Sequence, residues 1–339
     1  MGISRKNNTG YFTAISIAVA IFMLSDVLLG STSISLTDLF AAVFGKKGPG
    51  PINDIVWLFR IPKMLTALLS GIALSICGLQ MQTLFKNPLA DPYILGISSG
   101  AGLGVAFFVM GSSALGLTIG SSLGMNIGMA ASAWIGALVV TFIIISLSHK
   151  LKDNLSLLIF GVMLGFIGSA LIGLLQYFSS ASSLKNYVLW SMGSFAGMTT
   201  VQLIILAALV LIGLIISIYN IKDLNILLLG EQYAKSIGVN VQRTRNRILI
   251  VVALLAGGVT AFCGPIGFIG IAVPHIARML FKNADHKVLI PASALIGAAI
   301  MLLADIIAGL PGTSSVIPIN TVSALLGIPI ILFIILKKK

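Results

Sequence analysis

Charge is scarce in this 339-residue chain: charged residues make up 9% and apolar residues 58%. Soluble domains carry about 25% charged residues, so a soluble globular class is excluded and a polytopic membrane protein is left. Cysteine is nearly absent. Cys77 and Cys263 each fall inside an apolar stretch and read as small buried core residues rather than a disulfide. The three histidines, His149, His275 and His286, are far apart, and no Cys/His group has metal-ligand spacing, so no metal site is expected. No G-x-x-x-x-G-K-[ST] loop occurs; Gly45-Lys46 lacks the earlier glycine because position 40 is Phe. The chain cannot cradle ATP phosphates by that route. No nucleophile–base arrangement stands out, and an enzyme is not expected. Embedded ionisable groups are few as well: Asp305 is the clear one, and Asp26 sits near a helix end. An ion-coupled carrier places several such groups along its path. Asp305 alone reads as a helix–helix hydrogen bond or an interfacial contact, so energy for active transport would come from a partner.

What the chain does have is a stretch that occurs twice. Residues 67–88 and 253–274 align without a gap at an offset of 186 (253 − 67). Ala67, Leu68, Leu69, Gly71, Cys77, Gly78 and Pro88 recur as Ala253, Leu254, Leu255, Gly257, Cys263, Gly264 and Pro274. Duplication inside an apolar chain points to a transporter built from two related halves. Apolar runs predict helices at about 11–30, 61–84, 92–111, 123–146, 155–178, 201–219, 247–267, 270–281, 288–309 and 317–336. The eighth is too short to span while facing lipid and is expected as a half-helix packed inside protein. The first reads as a retained helix, with a signal-anchor as the alternative, because no small-residue cleavage site follows it.

Charge sets the orientation. With ten helices and the N-terminus inside, the inner segments hold Arg5, Lys6, Lys86, Lys150, Lys152, Lys222, Lys235, Arg243, Arg245, Arg247, Arg278, Lys282, Lys287 and Lys337–Lys339. That is 16 of the 21 basic residues, leaving Lys46, Lys47, Arg60, Lys63 and Lys185 outside. This is the positive-inside asymmetry. The net charge of +12 is therefore topology and contact with anionic membrane lipid, not nucleic-acid binding. The two copies are an odd number of helices apart, so the repeat is inverted, with both termini cytoplasmic.

Four segments stand out. Residues 226–240, ILLLGEQYAKSIGVN, lie on the inner side between helices six and seven. Glu231 and Lys235 at i,i+4 support a short helix, which either docks on a soluble partner or rests on lipid. Residues 86–92, KNPLADP, end helix two and pre-set the next turn, and the small residues of 96–104 permit close helix contact. Residues 264–278, GPIGFIGIAVPHIAR, carry two prolines and three glycines, the mark of a broken helix lining a cavity or buried in protein. His275 there is either a switch or a hydrogen-bonded structural residue beside the Pro274 kink. Arg60 and Lys63 open helix two at the outer face, to meet carboxylates of a partner or to snorkel to headgroups.

On residues 60–104, 229–239 and 264–308 the chain resembles the FecCD (BtuC-like) permease family, the membrane subunits of type II ABC importers for ferric siderophores, haem and cobalamin. The resemblance covers nearly everything after helix one. It implies an all-α membrane protein of about ten helices, a single permease domain over 1–339 with repeat A at about 60–178 and repeat B at about 247–336. It also implies a homodimer with the pathway on its axis, two ATP-binding cassette ATPase subunits inside that carry the ATP and Mg, and a substrate-binding protein outside. No cofactor is implied in this chain itself. Leu229, Gly230, Glu231, Ala234, Lys235 and Gly238 match the coupling segment that receives the ATPase stroke. Asn87 and Leu89 match the cytoplasmic gate, with Asn154 and Leu155 at the start of helix five. Arg60 and Lys63 match the binding-protein docking motif, with Lys in place of a second Arg. Gly264, Pro274, His275 and Arg278 mark the broken helix. The family's later Arg is Gly309 here, its Glu is Val316 and its Gly is Asn320, departures that imply different docking contacts.

The function this predicts is ATP-driven import of a large metal chelate across a bacterial cytoplasmic membrane, along a pathway with few embedded charges. An ion-coupled secondary transporter acting without an ATPase is the alternative.

Overall fold

A computed structural model of the chain describes residues 5–30, 34–45, 50–112, 122–151, 153–309 and 316–337. Lys46, Lys47, Lys152, Lys338 and Lys339 of the charge map lie outside the described residues. Every regular element among the described residues is helical.

The first half contains α1 (Arg5–Leu28), the short α2 (Leu36–Phe44), α3 (Pro51–Leu84), α4 (Ile97–Gly111), α5 (Ser122–Ser148), α6 (Asn154–Tyr177) and α7 (Ala181–Ser191). The second contains α8 (Thr200–Tyr219), α9 (Ile221–Leu229), α10 (Glu231–Ser236), α11 (Val241–Cys263), α12 (Ile269–Phe281), α13 (His286–Ala308) and α14 (Ile319–Lys337). Among the described residues, seven helices are long and apolar enough to cross a membrane: those within α1, α3, α5, α6, α8, α11 and α13. Three shorter apolar helices, within α4, α12 and α14, bring the membrane-depth segments to the ten expected.

Three of the boundaries that differ from the sequence reading have a local cause. Helix two begins at Pro51 rather than 61, because Pro51 suits the first helical turn and the buried Arg60 donates to the Leu29 carbonyl instead of breaking the run. The third segment opens with a separate 3₁₀ turn, Pro92–Leu95, whose Asp91 cap accepts from Tyr93 N at 2.9 Å; Gly96 at φ 76° then turns the chain into α4. Helix seven stops at Cys263, not 267, because Gly264 sits at φ 76° with Pro265 behind it. The sequence reading assigned no element to α2, α7 or most of α9. The first two start at serine caps, Ser35 and Ser180.

The core is built around α3, which packs on α13, α12 and α8. Glycines set the closest approaches. A Cβ on Gly71 would strike the backbone of Gly297 in α13, and one on Gly78 the backbone of Gly270 in α12. Small residues at such crossings let backbones touch, where packing rather than solvent exclusion holds membrane helices together. The duplicated halves interlock: α3 of the first lies on α13 of the second, and α11 of the second on α5 of the first. Cys77 and Cys263 are buried free thiols, as the core reading expects.

Candidate functional site

The break between α11 and α12 needs partners for its freed backbone groups, since water cannot serve them at this depth. It finds them in side chains from distant segments. Ile266 N donates to the Tyr93 hydroxyl at 2.9 Å, and Gly267 N to Asn320 Oδ1 at 3.2 Å. Pro274 has no N–H, so the Gly270 carbonyl loses its helical donor. Gln82 Nε2 of α3 supplies one at 3.2 Å and also meets the Ile271 carbonyl at 3.3 Å, while Gln82 Oε1 accepts from Arg278 Nη1 at 2.5 Å. His275 Nε2 lies 3.0 Å from the Pro88 carbonyl, so the ring pins α12 to the 86–92 turn, the hydrogen-bonded arrangement among the alternatives for this residue. Pro88 and Pro274 are the matched prolines of the repeat, and the residue after one bonds the other.

Within that turn, Asn87 Oδ1 accepts from Leu89 N at 2.9 Å, an Asx turn that holds Leu89 outward and half exposed. Leu155 is also exposed, in the first turn of α6. Asp153 caps α6 through Ser156 N at 2.7 Å, and the Ser156 hydrogen bonds hold its carboxyl below the ordinary range.

The segment matched to coupling in the sequence falls in α9 and α10. Gly230 between them sits at φ 122°, a region that only glycine enters freely. The end of α10 is a Schellman motif: Val239 N donates to the Ala234 carbonyl at 2.9 Å and Gly238 N to the Lys235 carbonyl at 3.1 Å, with Gly238 at φ 88°. Ala234 is buried against the body, whereas Leu229, Tyr233, Lys235 and Ile237 are exposed.

Glu231 does not make the i,i+4 pair with Lys235 that the spacing suggests. Its carboxylate turns inward to Arg245 Nη2 at 3.3 Å and accepts from Asn154 Nδ2. Arg245 is buried and shielded from water, where a charge-assisted bond is stronger than with an exposed lysine. The same Asn154 amide reaches the Leu84 carbonyl at 2.7 Å, and Arg245 Nη1 the Ser148 carbonyl at 3.3 Å. These are carbonyls at the ends of α3 and α5 that helix geometry leaves without donors. One node thus joins α10, the start of α6 and the C-terminal ends of α3 and α5. Asn154 and Glu231, expected in separate roles, belong to one cluster.

At the opposite end, Lys63 Nζ pairs with the buried Asp305 at 2.9 Å, with Asp26 beside it. Asp305 therefore makes the helix–helix contact expected of it, and Arg60 and Lys63 both have partners within the chain. A side chain at Gly309 would begin 3.8 Å from Lys63 Nζ, so an arginine there would crowd a second cation against Lys63. Asn320, taken from sequence as a docking departure, has an internal role at the broken helix.

Residues 17–337 match the family model described as the FecCD transport family. The chain belongs to that family. It is similar to the vitamin B12 import system permease protein BtuC of Shigella boydii serotype 18, 36% identical over 336 residues, 99% of this chain and 97% of the relative. The protein of the same name from Citrobacter koseri is 35% identical over 335 residues, 99% and 96% of the two chains. Among solved structures it is similar to a metal-chelate type ABC transporter in an inward-facing conformation, at TM-score 0.84 and 28% identity over 97% of this chain and 99% of that one. The family and the all-α BtuC-like fold expected from sequence are borne out: this is a multi-span transport permease.

Sequence reasoning passed over Gln82, Tyr93 and Arg245. Arg245 was hidden in QRTRNR, a run read only for topology. Helical geometry carried the signal: Arg243 and Arg245 are about 200° apart on the helix, so they cannot share an exposed face.

Proposed function

We propose that this permease is the membrane half of an ATP-driven importer for a metal chelate, working as a homodimer in a bacterial cytoplasmic membrane. Two ATPase subunits dock on the exposed Leu229–Ile237 surface, and a binding protein delivers the chelate at the other face. Cobalamin is the first candidate, because both full-length relatives are named as vitamin B12 permeases; ferric siderophore and haem are the others. The observation that carries the reading is the Glu231–Asn154–Arg245 node. It gives a force applied to α10 a direct path into the start of α6. The chain itself makes and breaks no bond. Asp305, the group an ion-coupled carrier would need, is held by Lys63.

Proteoliposomes containing the permease, its ATPase and its binding protein test this. Labelled cyanocobalamin, haem and a ferric siderophore are offered in turn, and one should accumulate only with ATP inside. Accumulation by the permease alone under an ion gradient would overturn the reading.

A further inference from the structure

A cavity of about 410 Å³ opens where α8, α9, α11 and α13 meet on the cation-rich face. It is lined by Ile218, Tyr219, Ile221, Lys222, Asp223, Arg247 and Lys287. Three of these are cations and one is a carboxylate. Asp223 is engaged twice, 3.6 Å from Arg247 Nη1 and accepting from Thr244 Oγ1 at 3.0 Å. Asp285, two residues before Lys287, is committed to the Lys287 and Asn225 N–H groups at 2.9 and 2.7 Å. Neither Lys222 nor Lys287 is in an ion pair among the described residues. The Arg247 guanidinium lies 5.0 Å over the Tyr219 ring, which holds it at the cavity wall.

Position adds to charge. Tyr219 ends the membrane-crossing stretch Thr200–Tyr219, and Lys287 stands in the first turn of the stretch His286–Ala308. The cavity is therefore at headgroup level. On α8, Leu211, Ile215 and Ile218 follow one another at i, i+4 and i+7 and are exposed together with Ile212. An apolar stripe thus leads down the helix into a pocket of net positive charge, and Tyr219 marks the boundary between them, as aromatic residues do at membrane interfaces.

We propose that this cavity binds the headgroup phosphate of an anionic phospholipid, with its acyl chains along the α8 stripe. A basic pocket between helix ends recognises the phosphate, and the stripe is a surface that a free anion would not use. The proposal stands independently of what the permease transports.

Native mass spectrometry tests it on the full-length permease in detergent with equal phosphatidylglycerol and phosphatidylcholine. The wild type should retain phosphatidylglycerol preferentially. Lys222→Gln, Arg247→Gln and Lys287→Gln should each weaken that retention by about fivefold, the equivalent of about 1 kcal/mol per cation. The exposed pair Arg243→Gln and Lys282→Gln, outside the cavity, should leave it unchanged. Lys287→Gln alone guards against misfolding, since its side chain is exposed. Unchanged retention in the triple variant overturns the proposal. So does displacement of the lipid by inorganic phosphate, which would make the site a free-anion site. Loss of ATPase binding with lipid retention intact also overturns it, assigning the cavity to the ATPase.

Discussion

Gln82 Nε2 lies 3.2 Å from the carbonyl of Gly270, the group that Pro274 leaves without a helical donor. Gln82→Leu should therefore lower stability by about 1–3 kcal/mol, the cost of an unmade buried hydrogen bond. In a Pro274→Ala background the new Ala N–H can serve Gly270, so the same change should cost less. Thermal midpoints of the four proteins in one detergent give the coupling, and equal losses in both backgrounds would rule the account out.

That pairing also shows what the sequence could reveal. Ten membrane-depth helices follow from apolar length, and the break at 264–268 from Gly264, Pro265 and Pro274. The side chains that make the break tolerable, Gln82, Tyr93 and Asn320, lie far away in sequence, and nothing in their own neighbourhoods marks them. Surface helices such as α2 and α7 carry no long apolar run and escape a reading tuned to spans. Glu231 was legible as a residue of a short inner helix. Its direction was not, because an i,i+4 lysine is visible in sequence and a buried arginine fourteen positions on is not.

The Lys63–Asp305 pair should respond asymmetrically. Asp305 is buried, while about a quarter of the Lys63 side chain meets the exterior. Lys63→Met leaves a carboxylate stranded and should cost about 3 kcal/mol. Asp305→Asn leaves a lysine that can reach outward and should cost less. Lys63→Arg should come nearest to wild type. Unfolding by graded denaturant ranks the three, and a reversed order for the first two would contradict the burial.

Glycines at the helix crossings should be intolerant in a position-specific way. Gly78→Val places a Cβ against the Gly270 backbone and should abolish stable expression. Gly173→Ala in α6 meets nothing within 4 Å. It should hold or raise the thermal midpoint, since alanine is favoured over glycine in a helix by about 1 kcal/mol. Parallel expression and melting measurements separate the two cases.

The Glu231 node separates docking from transmission. Tyr233 is exposed on α10, so Tyr233→Glu should weaken ATPase binding without disturbing the permease. Asn154→Ala removes the bonds to the Leu84 carbonyl and to Glu231 but touches no exposed surface of α10. ATPase subunits should still bind it and hydrolyse ATP, while substrate moved per ATP falls severalfold. Glu231→Lys sets a second cation against the buried Arg245, and it should destabilise the fold by about 3–5 kcal/mol, the cost of stranding a buried charge. A melting curve on the isolated permease shows this before any partner is added. Pull-down of the ATPase together with uptake per ATP in proteoliposomes decides between the roles. If Asn154→Ala transports with wild-type efficiency, the node is structural only, and the stroke reaches α6 by another route.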